Sequence, residues 1–115
     1  MEEEGVIKYK MHHQNSIALE KKSWMALENW RKRLFKLKLI GEYPELKLGY
    51  GNLSQRYRQK SMSFIITGTQ TGKFKDLNDQ HYCLVKDFNL EEMTLNSLGP
   101  IRPSSEALTH GSIYE

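Results

Sequence analysis

A single cysteine, Cys83, in 115 residues excludes an internal disulfide. No apolar run approaches the length of a membrane span, and the acidic start Met1-Glu2-Glu3-Glu4 lacks the pattern of a secretory signal. These absences lead to the expectation of a cytoplasmic protein with no membrane partner. Also missing are the HExxH, CxxC and GxGxxG patterns and a phosphate-loop signature, and no serine, histidine and aspartate stand in an order that argues for a triad. No low-complexity tract, internal repeat or interdomain linker divides the chain, so one domain is expected, large enough to bury roughly two-thirds of the surface its unfolded chain exposes.

The net charge of +3 and isoelectric point near 9.0 permit nucleic-acid binding. Most of the basic excess, however, lies between Lys21 and Lys38 on a segment shared with core-type residues, the pattern of a solvated helix face. No aromatic-interleaved basic platform accompanies it, so no nucleic-acid partner is expected, and an anionic small molecule fits the charge equally well.

The chain is organised around Phe64-Ile65-Ile66-Thr67-Gly68-Thr69-Gln70-Thr71-Gly72, an apolar run that reads as a buried strand and opens directly into a polar loop. Gly68 and Gly72 are expected to take positive φ or to let backbone approach a ligand. The hydroxyls and free N–H groups of residues 67–72 can then line a concave site for phosphate or carboxylate.

Taken in order, Val6-Ile7-Lys8-Tyr9-Lys10-Met11 alternates and reads as a half-buried or edge strand, its lysines suiting an edge. Asn15 or Ser16 is placed to cap a helix from about residue 17 or 19 to residue 39, on which Trp24, Leu27, Trp30 or Arg31, Leu34 and Phe35 recur at helical spacing and which Gly41 stops. Both tryptophans are expected in the core. Residues 42–46 read as a turn, 49–56 as a glycine-punctuated stretch ending in a short strand, 57–61 as a polar turn, and 62–66 as a strand returning antiparallel. That return is expected to send the Gly51-Asn52 turn and the 67–72 loop toward opposite ends unless a neighbour bends one back. Residues 73–80 read as irregular, 81–88 as a strand, and 93–98 as its hairpin partner. Gly99-Pro100-Ile101-Arg102-Pro103 then breaks regular structure before Ser104 or Ser105 caps a closing helix with Glu106 in its first turn. This helix meets no stop signal before Glu115, which suggests a cut sequence.

Few residues can carry chemistry. His12 and His13 are adjacent on or just after a strand, point to opposite faces, and make a poor ligand pair. His81 and Cys83 share a strand face and can ligate zinc, but without a third ligand an ordinary strand pair is the better reading. Glu106 is a candidate general acid/base, against the plainer reading of a carboxylate that suits a helix dipole.

Together, Gly51-Asn52-Leu53-Ser54-Gln55-Arg56, then Ile66-Thr67-Gly68-Thr69-Gln70-Thr71-Gly72, then Pro103-Ser104-Ser105-Glu106 followed by His110 and Ile113-Tyr114 resemble in order and spacing the N-terminal half of the class II aldolase/adducin family. Members of that family include sugar-phosphate aldolases such as fuculose-phosphate aldolase, an epimerase, and the adducin head. Trp30-Arg31-Lys32-Arg33-Leu34 and Leu39-Ile40-Gly41 extend the resemblance over roughly residues 20–115. It implies an α/β fold, a three-layer α/β/α arrangement with a mostly antiparallel central sheet, truncated here at its C-terminal side. Residues 1–115 would be the N-terminal part of one such domain, in a homo-oligomer that is a tetramer in the family.

The resemblance also implies a phosphorylated sugar as ligand, its phosphate held by Asn52, Thr69 or Thr71, Gly72, Ser104 and Ser105. Glu106 matches the family's acid/base beside a zinc ion. Which threonine matches is open, because residues 67–72 hold two Thr-Gly pairs where the family carries one. The family's zinc is held by a His-x-His pair on the strand after the Ser-Ser-Glu helix and by a third histidine further on. This chain ends inside that helix, so no metal site and no activity are expected of it alone. Glu106 points to a carbon–carbon lyase, since epimerases resemble the motif with Asp in that place. The alternative is a non-catalytic interaction module like the adducin head.

Overall fold

Four consecutive buried residues, Phe64, Ile65, Ile66 and Thr67, make a strand that must be covered on both faces. In the computed structural model, which describes residues 9–58 and 62–115, this strand lies inside a mixed five-stranded sheet. The strands are β1 (Lys10–Asn15), β4 (Ser54–Arg56), β5 (Phe64–Thr67), β6 (Tyr82–Asn89) and β7 (Thr94–Gly99), in the order β1-β7-β6-β5-β4. β1 joins β7 in parallel, and the other three pairings are antiparallel. A second, two-stranded sheet pairs β2 (Gly41–Tyr43) with β3 (Leu48–Tyr50), and the helices are α1 (Lys21–Lys36) and α2 (Ala107–Tyr114).

Alternation along β5 divides the core. Phe64 and Ile66 join Cys83, Val85, Leu95 and Ala107 of α2, whereas Ile65 joins Tyr82, Leu77 and Trp24 and Leu27 of α1. Trp24 stacks on Tyr82 with ring centroids 5.1 Å apart. Among the described residues no helix is long and apolar enough to cross a membrane.

The expected antiparallel return of β5 on β4 and the hairpin of β6 with β7 are both present. The expectation that the return separates the Gly51-Asn52 turn from the 67–72 loop is overturned. Antiparallel pairing sets the start of one strand beside the end of the next, so Ser54 lies opposite Ile66 and Leu53 O accepts from Thr67 N at 3.1 Å.

The expected helix is shorter than its pattern at both ends. Asn15 belongs to β1, and Ser16 N donates to Gly99 O at 3.1 Å, so neither caps α1; Glu20 precedes it without a side-chain cap. At the other end Lys38, at φ 63°, takes the left-handed position that usually falls to glycine. Gly41 therefore starts β2 rather than stopping the helix. β1 lies at the sheet edge but runs later than expected, sharing only Lys10 and Met11 with the expected strand, while residues 6–8 and 59–61 of the expected strand and polar turn lie outside the described residues.

Arg31, at 1% exposure, fills the core position that the spacing left between it and Trp30, and Trp30 stands 60% exposed beneath the Arg33 guanidinium. The expectation of two core tryptophans therefore fails for Trp30. His81 ends a single 3-10 turn before β6, its Nδ1 accepting from Asn78 N at 3.1 Å, so it shares no strand face with Cys83. Truncating Trp24→Ala should cost about 3–5 kcal/mol, and Trp30→Ala under about 1 kcal/mol. Equal losses in urea denaturation would contradict this division of the core.

Candidate functional site

Three chain segments far apart in sequence meet at the end of β5. Thr67 is the junction: its N–H donates to Leu53 O, its Oγ1 accepts from Leu53 N at 3.2 Å, and its carbonyl accepts from Ser104 N at 3.1 Å. Thr69 N donates to Arg102 O at 2.9 Å, and Gly68 forms an isolated bridge with Pro103. These bonds bring the segment before β4, the 67–72 loop and the start of α2 around one cavity of about 130 Å³.

Asn52, Thr69, Gly72, Ser104, Ser105 and Glu106 all line that cavity, six of the seven residues singled out from the sequence. Thr71 does not. Its buried hydroxyl donates to Gly68 O at 2.8 Å and its carbonyl accepts from Arg31 at 2.8 Å, so it closes the loop from within. A larger open groove of about 910 Å³ lies beside the end of α1 and the β2–β3 hairpin and contains none of the seven.

The cavity wall is rich in donors. The backbone N–H groups of Gln70, Gly72 and Ser105 donate to no group among the described residues. Ser104 Oγ accepts from Glu106 N at 3.2 Å, which starts α2 as a serine turn. Glu106 therefore stands at the position preceding the helix rather than inside its first turn as expected, and it is half-buried. A space of this size equals roughly four waters' share of liquid volume, the scale of a phosphoryl or carboxylate group.

Of the two expectations for the loop glycines, positive φ is overturned. Neither Gly68 nor Gly72 adopts positive φ; Gln70 does, at 57°, and its Oε1 accepts from Gly49 N at 3.2 Å. A Cβ on Gly68 would collide with Ile101, and one on Gly72 with Tyr50 O. Both glycines are thus required by close packing of protein on protein.

A zinc ion at a catalytic site takes three protein ligands. The described residues gather no group of three His, Cys, Asp or Glu side chains, and Glu106 is the sole such residue lining the cavity, so these residues do not fit a zinc site. Burial pushes the Cys83 thiol up to about 12, which keeps it protonated and packed in the core.

The sequence reading missed what stands behind Asn52. His110 Nε2 is hydrogen-bonded to Asn52 Oδ1, His110 Nδ1 lies 2.6 Å from Ser54 Oγ, and that oxygen lies 2.8 Å from the Tyr114 hydroxyl. The signal was periodicity: 52 and 54 share a side of an extended chain, and 110 and 114 share a face of a helix. Burial holds His110 below its ordinary value of 6.5.

Comparison with protein-family models, with curated proteins and with solved structures finds no match to the chain.

Two outcomes follow from this geometry. Gly72→Ala places a methyl group against backbone that cannot rotate away, and should cost about 3 kcal/mol in chemical denaturation; a neutral change would show that the loop and hairpin are not packed as described. For His110, the unfolded imidazole gains a proton below about 6.5 while the folded one resists it. The unfolded state then binds more protons, so this contribution to stability is full above 6.5 and is lost as pH falls. Replacing His110 with Gln should flatten the fall in denaturation midpoint between pH 7.5 and 5, and an unchanged slope would refute the assignment.

Proposed function

We propose that this chain is the phosphate-binding part of a class II aldolase/adducin-type domain, with the three-layer α/β/α arrangement of that family and a phosphorylated sugar as its ligand. The observation that carries the reading is the convergence of Asn52, Thr69, Gly72 and Ser104-Ser105-Glu106 on one cavity, although the three segments are separated in sequence by the whole of β4, β5, β6 and β7. Folding alone had no need to collect the matched residues of a family motif around an empty space.

In this reading the neutral donors of Asn52, Thr69 and Ser104, with the unpaired N–H groups of the loop, surround the phosphoryl oxygens. Donors of fixed geometry suit a dianion because they need no reorganisation on binding. Glu106 sits at the rim and moves the proton on the carbon next to the ligand's carbonyl, the step that a retro-aldol cleavage of a phosphorylated ketose requires.

The test compares inorganic phosphate, dihydroxyacetone phosphate and unphosphorylated dihydroxyacetone by NMR titration. Both phosphorylated ligands should shift the amide resonances of residues 68–72 and 104–106, and dihydroxyacetone should not. No shift with either would refute the cradle. Glu106→Gln removes a like charge and should tighten phosphate binding about fivefold. The same change should abolish exchange of the ligand's carbon-bound protons with deuterium oxide in any form of the protein that shows it. Binding without Glu106-dependent exchange would favour the non-catalytic module.

A further inference from the structure

Asn52 enters the cavity with its amide already held from behind, and the chain of hydrogen bonds that holds it has a direction. The members come in pairs from two elements: Asn52 and Ser54 from the extended chain entering β4, His110 and Tyr114 from one face of α2. Arg56 closes the far end, donating to Tyr114 O at 2.9 Å and lying over the Tyr114 ring at 5.1 Å. A neutral imidazole has one donor nitrogen and one acceptor nitrogen, so only two arrangements satisfy every link. In one, protons point from Tyr114 toward Asn52; in the other they point back.

We infer that the relay runs from Tyr114 to Asn52, with Tyr114 donating to Ser54, Ser54 to His110 Nδ1, and His110 Nε2–H to Asn52 Oδ1, and that it thereby makes Asn52 a dedicated hydrogen-bond donor that selects an anion in the cavity. The reverse direction would consume an Asn52 N–H and leave Oδ1 free, giving the cavity an acceptor suited to cations and hydroxyls. Two observations choose between them. Asn52 meets Nε2 through its oxygen, and its Nδ2 group has no partner among the described residues. Apart from the Glu106 carboxylate, the remaining wall carries loop N–H groups and hydroxyls that can donate, so an NH₂ group adds to the donors facing an anion. Burial without a facing carboxylate keeps the imidazole neutral, as the relay requires. His110, Ser54 and Tyr114 are positioning residues, acting through Asn52 without entering the cavity lining.

This deepens the proposed function and rests on the cavity being a binding site, so the test has one arm that needs no ligand. Long-range ¹⁵N–¹H correlation of the histidine rings at pH 7 should show His110 in the Nε2–H form with Nδ1 unprotonated. The Nδ1–H form or an imidazolium overturns the relay. In the second arm inorganic phosphate is titrated against wild type, Ser54→Ala and Ser54→Thr. Ser54→Ala removes the donor to Nδ1, so His110 should become a mixture of tautomers and phosphate should bind roughly tenfold more weakly, with Ser54→Thr restoring both. A folded Ser54→Ala protein with one tautomer and unchanged affinity overturns the inference. Wild type that binds phosphate with His110 in the Nδ1–H form overturns the relay alone. Wild type in the Nε2–H form that leaves phosphate unbound overturns the anion preference together with the binding reading.

Discussion

The architecture of the site depends on the hydrogen bonding of one buried residue, Thr67, at the end of β5. Its N–H and hydroxyl pair with Leu53 and its carbonyl takes Ser104 N, so the segments carrying Asn52 and Glu106 are each fastened to the same residue. A buried backbone group without a partner costs about 1–3 kcal/mol. Moving either wall would strand such groups, and the cavity is therefore held open by the same bonds that satisfy the strand end. Apolar packing beneath it, from Phe64, Ile66 and Ala107, fixes the depth at which α2 begins.

The loop on the third side is secured from the opposite helix. Arg31 donates to Thr71 O, Phe74 O and Lys75 O, and Glu28 accepts from Leu77 N at 2.9 Å and from the Tyr82 hydroxyl at 2.6 Å. Desolvating a guanidinium costs several kcal/mol, and three hydrogen bonds from a charged donor, each contributing about 1.5–3 kcal/mol, offset that cost. Little net stability remains. What the arrangement supplies is a defined path for residues 71–77, because Thr71 O, Phe74 O, Lys75 O and Leu77 N are each tied to one of these two side chains. Thr71 is part of this internal scaffold, which explains why its hydroxyl turns inward while Thr69 faces the cavity.

Much of this was legible in the sequence where one short window held the whole signal. The buried run 64–67, the strand 82–89 with its hairpin partner, and the Trp24, Leu27 and Arg31 stripe each announce themselves by local period. The six cavity residues were legible as an ordered pattern whose resemblance implied one shared site, while the strand pairing read from the same sequence pointed the Gly51-Asn52 turn away from it. The misreadings share a cause, which is competition from partners distant in sequence. Asn15 and Ser16 look like caps until β7 claims them as a parallel edge strand. Three-residue strands such as β2 and β3 are too short for alternation to show, and their turn relies on Lys47 at φ 51° rather than on glycine. Positive φ was expected of the loop glycines, but Gln70 takes it instead, and the need for glycine at 68 and 72 comes from Ile101 and Tyr50, neighbours distant in sequence.

Size then separates two kinds of recognition. At about 130 Å³ the cavity matches a head group in size. Its lining combines neutral amide and hydroxyl groups with the one carboxylate of Glu106, so discrimination within it acts on charge and on hydrogen-bond polarity. Under the proposed function, the distances from Glu106 to the carbon chain of a longer ligand are set by where its head group is anchored. Positional precision at the rim is thus inherited from the wall behind it: from Thr67, which spaces the segments, and from the relay behind Asn52, which decides whether that wall offers a proton or a lone pair. Selectivity for the rest of such a ligand must be exercised outside the cavity, by groups that need not share its polarity.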